Sequence, residues 1–272
     1  KKLSRRFTNV ISASLSKYRA VFVIAFKQTW NNKANLSGLL FFLFILLFIY
    51  NRLWVVIGVQ ENANGLNATY IWYLLLAEII ILSGPKMERI MFEDIKSGNM
   101  AYYVNKPISF FLMRYIEGIG NMTVSFLIMG TFGTIVTLLL TGQPPFEWRH
   151  FPFIIIMCYL SSAINLLFYT GVGLCSLWLE SIRTLGMAIE RMAFIFGGAI
   201  FPLSIYPRWF VEIAQWTPFY SVYYLSIKLV YDFSWANLAQ AVLLNTFWIT
   251  LIVGFIVFAY GKLIKKVDVY GC

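Results

Sequence analysis

Long apolar runs with few charged residues are the feature that most limits the folds open to this chain. Only 12% of its 272 residues are charged, and its mean hydropathy is +0.71. Soluble domains carry about 25% charged residues, so this chain has too few polar side chains to cover a water-facing surface. A membrane span needs about 20 apolar residues, which leaves room for about six spans and no separate soluble domain. We therefore expect an all-α integral membrane protein.

The apolar runs predict six transmembrane helices. Their expected bounds, in chain order, are 36–59, 69–83, 115–140, 152–179, 184–206 and 236–260. Ahead of them, residues 7–33 place apolar side chains at three- and four-residue spacing between basic ones. This pattern predicts an amphipathic interfacial helix on the membrane surface, with a solvated basic tail as the alternative. Residues 207–235 are aromatic and half polar, which favours re-entrant half-helices.

Lysine and arginine are unevenly distributed over the loops that these spans define. Seventeen of them fall in residues 1–33, 84–114, 180–183 and 261–272, whereas the remaining three loops hold three. Because cytoplasmic loops are enriched in Lys and Arg, both termini are predicted to face the cytoplasm. The basic N-terminal segment would then face an anionic lipid leaflet. The basic excess is thus interpreted as a topology signal, and we expect no nucleic-acid partner.

Sequence signals of catalysis are missing. The chain has one histidine, His150, which leaves no His/Asp/Glu cluster for a metal, and the three cysteines lack the spacing of zinc ligands. Neither a GxSxG nor a GxxxxGK[ST] motif occurs. We therefore expect no catalytic residue, no metal site and no cofactor in this chain, and any ATP chemistry would belong to another polypeptide.

A polar stretch, residues 84–114, follows the second predicted span. Within it four apolar residues recur at helical spacing: Met87, Ile90, Met91 and Ile95. Charged residues of both signs occupy the opposite side of that helix. Pro85 stands where a first helical turn tolerates proline, and Gly98 stands where a helix ends. The pattern predicts a short amphipathic cytoplasmic helix that either docks a soluble partner or rests on lipid headgroups.

Three sequence stretches carry a resemblance to a known family. They are Asp-Ile-Lys-Ser-Gly-Asn-Met (94–100) with Tyr-Tyr-Val-Asn-Lys-Pro-Ile-Ser (102–109), Gly-Gly-Ala-Ile-Phe-Pro-Leu-Ser-Ile-Tyr-Pro-Arg-Trp-Phe (197–210) and Trp-Thr-Pro-Phe (216–219). In this order they resemble patterns in the permeases of type-2 ATP-binding-cassette (ABC) exporters, of the short six-span bacterial branch. Residues 99–103 differ from the family, which has a small or leucine-rich segment after the glycine.

The resemblance implies one transmembrane domain, residues 1–272, in the bacterial cytoplasmic membrane. Two permeases, identical or homologous, would form the substrate path, and separate ABC ATPase subunits would bind ATP and Mg. Residues 84–114 would contain the coupling helix that docks onto an ATPase. The residues implied in this coupling are Glu93, Asp94, Lys96, Gly98, Lys106 and Pro107. For each charged residue among them, a solvated loop face is the alternative.

Charged residues inside predicted spans usually face the protein interior, because exposure to lipid is costly. Glu78 lies midway along the second span, which the resemblance places beside the substrate path. It would contact a cationic substrate there or serve as a structural partner of a neighbouring helix. Glu190 and Arg191 of the fifth span are also expected along the path, with an ion pair between helices as the alternative. The residues implied at the extracytoplasmic gate are Pro202, Pro207, Trp209 and Pro218.

Together the sequence and the resemblance favour the membrane subunit of an ATP-driven exporter whose substrate is amphipathic or cationic. An ATP-independent secondary transporter or channel subunit is the alternative. Such proteins often contain internal repeats, and residues 36–140 and 152–260 show no convincing similarity to each other. A membrane-embedded assembly or enzyme subunit is a third hypothesis, which the missing catalytic residues disfavour.

Overall fold

The computed structural model describes the backbone of residues 2–56, 66–99, 109–177 and 179–270, and every regular element in these ranges is helical. This agrees with the expected all-α fold. The α-helices are α1 Lys2–Asn31, α2 Lys33–Val56, α3 Leu66–Leu82, α4 Met87–Lys96, α5 Phe110–Thr141, α6 Phe151–Gly173, α7 Arg183–Phe196, α8 Arg208–Ala214, α9 Ser226–Lys228 and α10 Trp235–Tyr270. Two 3₁₀ turns, Leu174–Leu177 and Leu203–Ile205, and one π-helical segment, Tyr220–Leu225, complete the described elements.

Five helical stretches among the described residues are long and apolar enough to cross a membrane. They are Lys33–Trp54, Ala68–Lys96, Phe110–Thr141, Phe151–Ser176 and Trp235–Ala259. They overlap the first, second, third, fourth and sixth predicted spans. The lengths and composition of these helices are those of a multi-pass membrane protein.

The fifth predicted span, residues 184–206, differs from the expected continuous helix. Its helical part, α7, has 14 residues and a length of about 21 Å, shorter than the hydrocarbon core. The helix ends at Gly197, and Gly198 has a positive φ of 60°. Only glycine adopts this backbone conformation at little cost, so the chain turns out of the helix here. A sixth crossing therefore stays a prediction.

Helix α1 packs lengthwise on α5. Ala25 is buried, and a Cβ built on Gly120 would lie 2.7 Å from the carbonyl oxygen of Phe22, so the two backbones meet closely at this glycine. The hydroxyl of Thr29 also donates a hydrogen bond to the amide oxygen of Asn121 at 2.9 Å. A helix is thus present over most of 7–33, and it contacts α5 around the buried Ala25.

Helix α3 forms the centre of the bundle. All ten residues from 71 to 80 are buried, and α2, α5 and α6 pack around them. A helix that is apolar on every side is expected in such a central position. The side chain of Leu75 occupies the space left by Gly133 of α5.

The segment between α7 and α10 returns into the bundle as short helical pieces. Its π-helical part and α9 are buried, and the Ser226 hydroxyl joins them to two long helices. This hydroxyl accepts hydrogen bonds from Ser161 of α6 at 2.7 Å and from the Asn245 amide of α10 at 3.3 Å. The predicted half-helical character of 207–235 is therefore present, whereas its place relative to a membrane stays a prediction.

Candidate functional site

Helix α4 has two chemically different faces. Arg89, Glu93 and Lys96 are exposed on one side. The other side is buried and comprises Met87, Glu88, Met91 and Asp94. The amphipathic helix predicted from the spacing of apolar residues is therefore present, and its exposed face carries charges of both signs.

Helix α4 lies within the predicted stretch, but Pro85 stands before the helix and not in its first turn. The helix begins directly after Pro85 and Lys86, and Ser97 follows its last residue. Gly98 then has a φ of 78°, a left-handed backbone conformation that follows the helix end without the steric penalty of a side chain. Gly98 is thus a shape-setting residue, whereas Lys106 and Pro107, expected to act with it, lie outside the described residues.

Three glycines from three different helices receive the buried face of α4. A Cβ built on Gly118 of α5 would lie 3.1 Å from the Met87 sulfur. A Cβ on Gly173 of α6 would lie 2.5 Å from the Met91 Cβ, and one on Gly186 of α7 would lie 3.2 Å from the Glu88 Cγ. A Cβ on Gly173 would come closer to its neighbour than real Cβ atoms do, and the other two contacts would be tighter than most real ones, so α4 packs closely where these helices lack side chains.

Asp94 is placed differently from the exposed partner contact expected of it. Its side chain is 8% exposed, and its two carboxylate oxygens meet Nε and Nη2 of Arg114 at 2.6 and 2.8 Å. Arg114 of α5 also donates from Nη1 to Glu117 at 2.6 Å. Asp94 lies seven residues after Met87 and so shares its buried face. This residue therefore fastens α4 to α5, which corrects the expectation that it faces a partner.

Glu190 of α7 forms an ion pair with a residue of another element. An ion pair was the alternative to a position along the substrate path. Oε1 of Glu190 lies 3.0 Å from Nζ of Lys86, the residue just before α4. The neighbouring Arg191 points elsewhere, is exposed and lies 6.0 Å from the ring of Phe194. Adjacent helical residues differ by about 100° in direction, so the two charges serve different surfaces.

Glu78 lies inside the protomer and not on its surface. It is 6% exposed in the central helix α3, where every neighbour along residues 71–80 is buried. A residue in this position does not face a second protomer directly. The contact with a substrate that the resemblance implies for Glu78 would therefore require α3 to become accessible from within the bundle.

A small cavity lies where α3, α4, α6 and α7 meet. Its volume is about 20 Å³, which is room for about one water molecule. Its polar lining consists of Lys86, Glu88, Asn165, Tyr169, Glu190 and Tyr223. The Tyr223 hydroxyl donates to Oδ1 of Asn165 at 2.7 Å, and the Asn165 amide donates to the carbonyl of Ile80 at 3.4 Å. Two carboxyl groups and one ammonium group thus line the same small, partly open space.

The four residues expected at the extracytoplasmic gate lie in or next to the short helical pieces between α7 and α10. Pro202 is buried ahead of a 3₁₀ turn, and Pro207 precedes α8. Trp209 is exposed, and Pro218 is partly buried ahead of the π-helical segment. Four tryptophans of the predicted outer loops are more than half exposed: Trp148, Trp209, Trp216 and Trp235. Exposed tryptophans are typical of the interface between a membrane and water.

Three residues of this region were not predicted from the sequence to be site residues: Lys86, Glu88 and Arg114. Glu88 stands three residues before Met91, so helical spacing places it toward the buried face. Arg114 and Lys86 form ion pairs with residues of other elements, and no local sequence pattern predicts those pairs. Among the described residues no group of three or more His, Cys, Asp or Glu side chains could hold a metal ion.

No protein-family model matches this chain, and no curated protein matches it either. Its functional interpretation therefore depends on its own residues and their geometry.

Proposed function

We propose that this chain is the membrane subunit of an ATP-driven ABC exporter and that α4 is the helix through which a separate ATPase moves it. One observation carries the proposal. Helix α4 is fixed by its buried face to three other helices and presents Arg89, Glu93 and Lys96 on its free face. Such a helix can transmit a push from outside the bundle, which a flexible loop cannot.

The exposed face of α4 suits a protein partner better than a lipid surface. A helix that rests on headgroups inserts its apolar side between the lipids. In this chain the apolar residues Met87 and Met91 are already buried against the bundle. The free side carries an acidic residue, Glu93, between two basic ones, which disfavours attraction to an anionic leaflet. These observations favour the first of the two interpretations left open by periodicity.

Movement of α4 would reach the rest of the bundle along short connections. Residues 83–86 join it to α3, the Asp94–Arg114 ion pair joins it to α5, and the Lys86–Glu190 ion pair joins it to α7. Helix α7 ends at the Gly197–Gly198 break, where the Tyr73 hydroxyl of α3 donates to the Gly198 carbonyl at 2.8 Å. We propose that α3 and α7 move together when α4 is pulled, with this break as the bending point.

The exposed side of α7 supports an amphipathic substrate. Met187, Met192 and Ile195 are exposed there together with Arg191. Methionine surfaces adapt to differently shaped apolar groups. The charge next to them is positive, whereas Glu78 lies inside the protomer, so an anionic head group is favoured over the cationic one expected from Glu78 alone. The path itself would be completed by a second permease.

The proposal is tested by co-purification with any ATPase encoded beside the gene for this chain. The variant Glu93→Lys/Lys96→Glu exchanges two exposed charges and leaves the net charge unchanged. We expect it to reduce the recovered ATPase at least tenfold, because charges placed opposite like charges repel across an interface. The control Glu212→Lys alters an exposed residue of α8 and should leave recovery unchanged. Full recovery and transport in the double variant, or a gene neighbourhood without an ATPase, would contradict the proposal.

A further inference from the structure

The cavity between α4 and α7 has a feature that coupling to an ATPase does not explain. Glu88 lines it with a side chain that is 4% exposed, and its Oε2 is buried without a hydrogen-bond partner in the described part of the chain. A carboxylate oxygen has two lone pairs, and leaving it unpaired away from water is costly. An oxygen of this kind is expected to hold a ligand.

The positively charged side chains near Glu88 compensate the charge of its carboxylate only in part. Nε of Arg89 lies 3.8 Å from Oε1, beyond hydrogen-bonding distance, and the Arg89 side chain is half exposed. Lys86 pairs with Glu190 at 3.0 Å and also attracts the Glu88 carboxylate electrostatically. The other titratable groups in the cavity wall are Tyr169 of α6 and Tyr223 of the π-helical segment, and neither carries a positive charge. Glu78 of α3 interacts electrostatically with Glu190 and adds a further acid nearby.

Helix packing keeps Glu88 in this position. Gly186 of α7 lies directly against it, since a Cβ there would stand 3.2 Å from Cγ and 3.3 Å from Oε1 of Glu88. Met87 and Met91, on either side of Glu88 in the helix, are fixed on α5 and α6. The carboxyl group therefore cannot swing out to water without displacing α4 as a whole.

We propose that this cavity binds one small monovalent cation, either a proton or an alkali ion, through Oε2 of Glu88. The volume of about 20 Å³ admits an ion or a water molecule but no larger group. A water molecule would donate the missing hydrogen bond to Oε2 but would leave the negative charge of Glu88 buried. A cation would remove both the cost of the unpaired oxygen and the cost of the buried charge. A divalent metal is disfavoured, because the described residues provide no cluster of three acidic, histidine or cysteine ligands.

Cation binding would set how firmly α4 is seated on α7. With the cation present, Glu88 is electrically neutral and remains packed against Gly186. Without it, the buried charge favours displacement of α4 toward solvent, where Arg89 already lies. The cation would thus control the joint between α4 and α7. The site follows from these contacts alone and does not depend on the identity of the transported molecule.

The first test measures thermal unfolding of the full chain in detergent. Wild-type protein is compared in sodium, potassium and choline chloride at constant ionic strength, at pH 6 and at pH 8. We expect binding to raise Tm by about 3 °C, a shift typical for one bound ligand in a protein of this size. A rise with sodium or potassium at fixed pH identifies an alkali ion, and a rise on acidification that is equal in all three salts identifies a proton.

Glu88→Gln removes the charge at nearly constant shape and should abolish the response, whereas Glu93→Gln, on the exposed face of the same helix, should retain it. The proposal is overturned when wild type responds to neither salt nor pH, or when Glu88→Gln responds as wild type does.

A second measurement uses the unmodified protein and does not depend on the folding of a variant. A hydrophobic carbodiimide reacts with protonated carboxyl groups sheltered from water, and peptide mass mapping locates the adduct. We expect labelling of Glu88 and none of exposed Glu93. Labelling of Glu88 should fall at least fivefold at pH 8, or on addition of the stabilising alkali ion at pH 6. Labelling that is absent, or that is indifferent to both pH and salt, would overturn the proposal. Neither measurement involves an ATPase, so failure here leaves the proposed function untouched.

Discussion

Asp94 illustrates what single residues contribute to this molecule. Its type and its position in a polar loop suggested a surface contact, yet its carboxylate is buried on Arg114. Spacing alone places residue 94 with Met87 and Met91 on one helix face. The sequence does not reveal the partner, because Arg114 belongs to another helix and meets Asp94 only through tertiary packing. Burial was thus predictable, and pairing was not.

Removing one partner of this ion pair should destabilise the protein strongly. In Arg114→Ala the Asp94 carboxylate stays buried without its counter-charge, and we expect a loss of about 3 kcal/mol in the free energy of unfolding. The loss is smaller in Asp94→Asn/Arg114→Ala, because the carboxylate then left without its partner is that of Glu117, which is partly exposed to water. Thermal or denaturant unfolding in detergent measures both variants.

Lys96→Ala is the matched control for this prediction. Lys96 is exposed on the same helix, so its removal should change the unfolding free energy by less than about 0.5 kcal/mol. Equal losses for Arg114→Ala and Lys96→Ala would contradict the structural role assigned to Asp94.

Helix α4 shows what an element adds to its residues. Its existence and its end near Gly98 were predicted from apolar spacing and from that glycine. The surface against which α4 packs was not predicted. The three glycines that contact it are spread from Gly118 to Gly186 in the sequence and become neighbours only in the folded bundle. No pattern in the sequence shows that α4 fills the space beside Gly118 and Gly173.

Closing one of these glycine positions should loosen α4. In Gly173→Ala the new Cβ would stand 2.5 Å from the Met91 Cβ, so the helix must shift. We expect a loss of about 1–3 kcal/mol, the usual cost of overpacking, and faster tryptic cleavage after Arg89 or Lys96. Gly130→Ala is the control, because nothing lies within 4 Å of a Cβ at that position. Unchanged cleavage in Gly173→Ala would show that α4 is not held there.

The break after α7 rests on backbone conformation. Gly198→Ala would force a residue with a Cβ into a φ of 60° and place that Cβ 2.9 Å from Leu203 Cγ. We expect it to cost about 1–2 kcal/mol. Gly254→Ala in α10, where a Cβ meets nothing within 4 Å, should be nearly neutral. Similar unfolding free energies for the two variants would contradict this assignment.

Length and hydropathy predicted the other long helices well but not the end of α7. Residues 184–206 form an apolar run, so a window of hydropathy treats them as one span. The turn at Gly197–Gly198 depends on a positive φ and on a hydrogen bond from Tyr73, which belongs to a different helix. Apolar runs therefore locate membrane segments, and tertiary contacts decide where a helix inside them stops.

At the scale of the whole molecule, α7 determines whether the number of membrane crossings is odd or even. Five described stretches have spanning length, and both termini lie on one side only when residues 183–206 also cross. The uneven loop charges predict that arrangement, with α4 inside. The exposed tryptophans of the predicted outer loops favour it as well. Two positions, Glu93 in α4 and Trp216 after α8, should then face opposite sides.

Labelling of introduced thiols tests this arrangement most directly. Glu93→Cys and Trp216→Cys are each made after replacement of Cys158, Cys175 and Cys272, and intact cells are treated with a membrane-impermeant maleimide. Trp216→Cys should be labelled from outside, whereas Glu93→Cys should be labelled only in inverted membrane vesicles. Labelling of Glu93→Cys in intact cells would place α4 outside and contradict its role as the helix that an ATPase moves.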